Sequence, residues 1–192
     1  MKYDITVVGG GLAGSEAAYY LAKKGRKVRL VDIKPKAFTP AHKSGDYGEL
    51  VCSNSLKSND VYSNACGTLK EEMRILGSMI IECADRTRVP AGAALAVDRD
   101  EFSKAVTGKL AETGNIDFVS DEIESVDLND NVIIATGPLT TPKLCEFIKG
   151  VTGDAFYFYD AAAPIGSGDS IDMSEAFVSD RYGEAGKGDY VN

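Results

Sequence analysis

Val7-Val8-Gly9-Gly10-Gly11-Leu12-Ala13-Gly14 sets three glycines at Gly-x-Gly-x-x-Gly spacing directly after a short apolar run. The chemistry that this spacing can do is diphosphate binding. Gly9 allows a tight turn, Gly11 bares the backbone to a pyrophosphate, and Gly14 lets the following helix pack close to the strand. The helix N-terminus then offers free N–H groups and the positive end of a dipole. Gly10, Leu12 and Ala13 complete this cofactor-binding loop. Asp32 closes a second apolar run, Lys27 to Val31, eighteen residues past Gly14. A carboxylate there accepts the hydroxyls of an adenosine ribose and disfavours a 2′-phosphate. A Gly-rich turn with no nucleotide is the plainer alternative. A second candidate is Asn131-Val132-Ile133-Ile134-Ala135-Thr136-Gly137-Pro138. The small residues Ala135, Thr136 and Gly137 let backbone come close to a ligand, although an ordinary core strand with a glycine stop reads similarly. Joined to the glycine triplet, this segment points to FAD over NAD. The third candidate is Cys52, flanked by Ser53 and Asn54 in Glu49 to Ser55.

The elements that must position these residues are those of an α/β fold. Asp4–Val8 and Lys27–Val31 read as strands around a helix, the βαβ unit that the fingerprint requires. Residues 33–63 carry little periodicity, and a long excursion of this kind is usually functional. One helix is predicted over 64–85, with Leu69, Met73, Leu76, Ile80 and Cys83 as a single apolar stripe. Arg86–Val97 reads as a small-residue linker. Asp98 and Glu101 have the spacing of an N-cap and its N3 partner, opening a helix through Phe102, Val106 and Leu110. Residues 116–126 read as two short strands with an acidic turn. Thr141 and Pro142 open another helix as N-cap and N1. Phe156 to Asp160 is an aromatic, strand-like run. The predicted organisation is a dinucleotide-binding domain over 1–155 and the start of a second domain over 156–192.

Composition sets the outer bounds. The 192 residues are 44% hydrophobic and 26% charged, as in an ordinary globular protein. No apolar run is long enough for a membrane span, and the first strand begins at once, so neither a membrane anchor nor a signal peptide is expected. Cys52, Cys66, Cys83 and Cys145 show no C-x-x-C spacing and His42 is the single histidine, so no metal site is expected. Free thiols suit a reducing cytoplasm. Net charge is −8, unevenly spread: residues 1–43 hold nine Lys/Arg against three acids, the remainder twelve against twenty-six. The acidic remainder argues against this chain coating nucleic acid by itself.

Beyond the glycine fingerprint, more specific segments appear. Thr39-Pro40-Ala41-His42, Glu49 to Leu56, Leu69 to Arg74, Arg88-Val89-Pro90-Ala91-Gly92, Ala94 to Arg99 and Phe156 to Pro164 together resemble the folate- and FAD-dependent tRNA uracil-5-methyltransferases, the TrmFO family, relatives of GidA. The resemblance runs from the first strand to the last residue. It implies a Rossmann-like FAD-binding domain of the glutathione-reductase type, a parallel sheet with flanking helices. It also implies methylation of a T-loop uridine of tRNA at C5, with methylenetetrahydrofolate as one-carbon donor and NAD(P)H as reductant. Gly9, Gly10, Gly11, Leu12, Ala13, Gly14 and Asp32 would bind the ADP part of FAD, with Ala135, Thr136 and Gly137 along the same cofactor. Cys52 would sit by the flavin ring with Ser53 and Asn54, as nucleophile or flavin shield; a small buried apolar role is the alternative. His42 is a candidate basic partner for that thiol, or a surface histidine. Ala93 departs from the family, which tends to a second glycine there. Family members are roughly twice as long, so the expectation is an N-terminal part with an incomplete FAD domain, contacting tRNA mainly elsewhere. Two further functions remain open: a flavin- or NAD-dependent oxidoreductase acting on a small molecule, and a nucleotide-binding module without catalysis.

Overall fold

The computed structural model describes residues 2–153, 171–179 and 190–191. In chain order the elements are β1 (Ile5–Val8), α1 (Leu12–Lys23), β2 (Val28–Asp32), β3 (Ser55–Ser58), α2 (Ala65–Ile75), α3 (Met79–Arg86), β4 (Arg88–Val89) and β5 (Ala94–Val97). They continue with α4 (Arg99–Glu112), β6 (Ile116–Ser120), β7 (Val132–Ile134), α5 (Pro142–Thr152), β8 (Val178–Ser179) and β9 (Tyr190–Val191). Two compact units divide them: one holds the described residues of 1–51 and 103–153, the other 52–102 with the described residues from 171 on.

The first unit is built on a parallel sheet in the order β6-β2-β1-β7. Its strands are short and rich in Val, Ile and Leu, as expected where helices cover a parallel sheet. Val7, Leu30 and Val31 are fully buried. α1 crosses from β1 to β2, and its buried face is small (Gly14, Ser15, Ala18, Ala22), which permits a close approach to the sheet. Leu144 and Ile148 of α5 pack on Val8. Val106 and Leu110 of α4 are fully buried, each contributing about 1.5–3 kcal/mol by leaving water. Two basic residues suit the end of α1. Lys23 and Lys24 sit at its C-terminal end, the favourable end for cations, over the rings of Tyr19 and Tyr20 at 5.9 and 5.4 Å.

The second unit carries an antiparallel sheet in the order β3-β5-β4, with a separate β8-β9 pair. Every residue of β5 is buried. Arg74 ties α2 to α3 through two hydrogen bonds to Asp85 (2.7 and 2.8 Å) and reaches Asn59 at 2.9 Å. Lys70, almost fully buried, donates to the carbonyls of Leu56 and Cys66.

Three expectations need correction. The helix predicted over 64–85 is two helices. Gly77, at φ +77°, ends the first in the left-handed conformation, and the Ser78 side chain accepts from Ile81 N–H to start the second. The apolar period runs through this break, but Leu69 and Leu76 end up 56% and 82% exposed. The linker predicted over Arg86–Val97 contains β4 and β5, because burial between neighbouring strands outweighs the weak strand preference of alanine. Of the two strands expected over 116–126 only β6 forms. The N-cap at Asp98 is as expected, its Oδ1 accepting from the N–H groups of Asp100 and Glu101. Phe156–Asp160 and the boundary placed at 155/156 lie outside the described residues.

Candidate functional site

Within the first unit, the C-terminal ends of β1 and β2 open into a crevice whose walls include Gly9, Gly10, Gly11, Asp32, Ala135 and Thr136. The chain arrives there because β1 stops at a turn only glycine can make. Gly9 has φ +100°, and a Cβ on it would lie 2.7 Å from the Ala135 carbonyl oxygen. The Ala135 N–H donates to Val8 O at 2.7 Å, which holds the end of β7 against that turn. Gly14 lies beneath: an added Cβ would come 1.8 Å from Gly9 O. Gly11 is the opposite case. It is the N-cap of α1, and a Cβ there would meet nothing within 4 Å. Leu12 and Ala13 follow it into the first helical turn, whose N–H groups have no partner within the helix. Gly137, at φ +65°, opens a short 3-10 turn after β7.

Asp32 organises the site. Its Oδ2 accepts the Gly10 N–H at 2.6 Å and its Oδ1 accepts the Lys34 N–H at 2.9 Å. Each carboxylate oxygen keeps further acceptor capacity. The Gly10 carbonyl accepts from the Ser15 hydroxyl and the Gly48 N–H. The Tyr47 ring presses on Gly10 so closely that a Cβ there would lie 2.2 Å from it. Burial and the charge of Asp32 push the Tyr47 phenol up to about 12.

The segment after β2 forms one wall, and sequence reasoning missed most of its members. Lys34 is 3% exposed, donates to the Asp46 carbonyl and lies 3.6 Å from Glu49 Oε2. Glu49 Oε1 accepts the N–H groups of Lys43 and Ser44. A buried ion pair therefore pins residues 34–49. His42 lines the crevice beside Lys34 and Thr39. Pro40 lies in a turn closed by the His42 N–H to Thr39 O bond, a usable sequence signal for the ring's placement. Burial first, and the charge of Lys34 next, hold the His42 pKa below its ordinary value. Thr141 is the N-cap of α5, but its hydroxyl makes no capping bond; this buried oxygen has no partner among the described residues and lies at the crevice.

Cys52, Ser53 and Asn54 fall in the second unit. Cys52 is exposed, which removes the buried apolar role for it. Ser53 Oγ accepts the Ser55 N–H and Asn54 O accepts the Val97 N–H, fixing the entry to β3. Ala93 is exposed, and its carbonyl accepts the Asn59 N–H at 2.7 Å. Among the described residues no three His, Cys, Asp or Glu side chains gather as metal ligands, and no helix is long and apolar enough to cross a membrane.

Comparison with known proteins agrees with this architecture. Residues 4–192 match the family described as GIDA, Glucose inhibited division protein A. Curated relatives include proteins named Methylenetetrahydrofolate--tRNA-(uracil-5-)-methyltransferase TrmFO. The one from Fusobacterium nucleatum is 55% identical over all of this chain and 44% of its own length. The one from Brevibacillus brevis is 53% identical over 98% of this chain and 43% of its own length. The chain thus spans less than half the length of these relatives. Among solved structures, GidA of Aquifex aeolicus superposes with TM-score 0.57 at 17% identity, covering 71% of this chain and 25% of that one. The fold is thus α/β, of the kind seen in GidA, and the chain belongs to the GIDA family.

Proposed function

We propose that this chain binds FAD in the crevice of its first unit and serves the folate-dependent methylation of tRNA uridine at C5. The observation that carries the reading is the whole-chain likeness, at 55% identity, to a relative named for that reaction. The crevice fits the cofactor on three counts. Gly11 leaves open space where a diphosphate would lie, beside the first N–H groups of α1, which have no acceptor within the helix. Asp32 retains acceptor sites for ribose hydroxyls. Ala135 and Thr136 bring a side-chain-poor wall against the glycine turn. Gly9 to Gly14, Asp32, Ala135, Thr136 and Gly137 are the proposed cofactor residues.

When bound, FAD supplies the reducing equivalent that turns a methylene into a methyl group. The chain's own residues orient and activate. The uracil C5 is a weak nucleophile until a thiolate adds at C6, and Cys52 is the proposed thiol, exposed and preceding β3 with Ser53 and Asn54. Methylenetetrahydrofolate and tRNA are the proposed co-substrates and NAD(P)H the proposed reductant. The free thiols suit a cytoplasmic setting.

Two measurements test this in sequence. Titration with FAD, followed by flavin fluorescence, is expected to saturate; no flavin uptake even when the chain is extended to the full length of its relatives refutes the cofactor assignment. Transfer of a labelled folate methylene to tRNA, with Cys52→Ala as control, is expected with the chain extended to the full length of its relatives and lost in the variant. No transfer refutes the methyltransferase reading even if FAD binds.

A further inference from the structure

Asp32 can offer a ribose only acceptors. A ribose hydroxyl has one proton to donate and two lone pairs to fill, so recognition by a carboxylate alone leaves its acceptor side unmatched. Two lone-pair sites of Asp32 are already taken by the N–H groups of Gly10 and Lys34. A donor on the same wall would complete the match, and the lysine there, Lys34, spends its ammonium on Asp46 and Glu49.

We infer that His42 is that donor, a positioning residue that reads the adenosine ribose together with Asp32. Both side chains line the crevice. The Thr39 hydroxyl lies 2.6 Å from His42 Nδ1. We take the Thr39 hydroxyl as the donor to Nδ1, the arrangement that leaves the proton of the neutral ring on Nε2. Nε2 has no hydrogen-bond partner among the described residues. Burial, which holds the His42 pKa below its ordinary value, favours the neutral ring, which carries a single N–H. Pro40 and the 39–42 turn hold the ring in place, and the Lys34–Glu49 pair holds the turn's surroundings. This inference rests on the dinucleotide reading of the crevice and adds a residue to it.

The test is a binding cycle with ADP, 2′-deoxy-ADP and 3′-deoxy-ADP as probes, read by calorimetry on the chain. His42→Phe keeps bulk and removes the donor. It is expected to weaken ADP about tenfold, and to leave unchanged the affinity for the deoxy analogue that lacks the contacted hydroxyl. His42→Gln, which restores an N–H, is expected to recover ADP affinity to within about threefold. Melting curves establish that each variant is folded, and His42→Ala serves the cycle if the Phe variant is not. Equal losses for ADP and both analogues, or no loss for ADP, overturn the role of His42 and leave the crevice assignment standing. If the unaltered chain binds neither ADP nor FAD, even when extended to the full length of its relatives, the crevice assignment falls and this inference with it.

Discussion

Replacing Gly14 with alanine pits helix propensity against packing, and the geometry says which wins. In an exposed helix Gly→Ala gains up to about 1 kcal/mol. At Gly14 the new Cβ would stand 1.8 Å from the Gly9 carbonyl oxygen and 3.3 Å from the Ala135 Cβ. A carbon–oxygen contact needs roughly 3.3 Å, so the start of α1 must retreat by about 1.5 Å. The obstacle is backbone on the turn itself and cannot rotate aside. Overpacking of this kind costs about 1–3 kcal/mol. The retreat also strains the Ser15 hydroxyl to Gly10 carbonyl bond, worth about 1 kcal/mol. The net loss is about 1–3 kcal/mol, a fall in Tm of roughly 2–12 °C for a chain of this size. Gly108 is the control. It lies in the middle of α4, exposed, and an added Cβ there meets nothing within 4 Å. Gly108→Ala is expected to raise stability by about 0.5–1 kcal/mol. Scanning calorimetry of both variants decides the matter. If Gly14→Ala melts at or above the parent temperature, the claimed contact between α1 and the glycine turn is wrong.

Other perturbations separate folding from binding. Gly11→Val meets no neighbour and is expected to cost at most about 1 kcal/mol, from the poorer N-cap, yet to lose FAD in a fluorescence titration; retained flavin would place the diphosphate elsewhere. Lys34→Met leaves Glu49 in the interior without its cation and is expected to cost about 3–5 kcal/mol in urea unfolding, while Lys34→Met with Glu49→Leu recovers most of it. A neutral single variant would mean that the pair does not pin residues 34–49. His42 titrates below its ordinary 6.5 in the fold, so the unfolded chain takes up its proton first as pH falls. Stability is therefore expected to drop on acidification from about pH 6.5 downward, and His42→Gln to flatten that drop in pH-dependent melts; identical profiles would contradict the burial of the ring.

Much of the first unit was legible because its signals are local. Gly9 at φ +100° and Gly14 beneath it are demands that neighbouring backbone makes on two residues, and the spacing records them directly. The Asp98 N-cap was legible for the same reason. The break at Gly77-Ser78 was present in the sequence as well, a C-terminal glycine followed by an N-cap serine. It lost to an apolar period that runs across two helices as readily as along one. β4 and β5 were missed because Ala94 and Ala96 have little strand character of their own; their neighbours in the sheet make them strand.

The sequence alone determined the β1–turn–α1–β2 unit and the candidate acid at Asp32, since turn dihedrals and a short crossover depend on contacts within about thirty residues. Tertiary structure decided what surrounds that unit. The pairing of β7 with β1 brings Ala135 onto Gly9, the buried ion pair of Lys34 with Glu49 closes the segment after β2, and the turn at Pro40 sets His42 in the crevice wall. These placements depend on the register of distant strands and on burial of charge, and neither leaves a periodic mark along the chain.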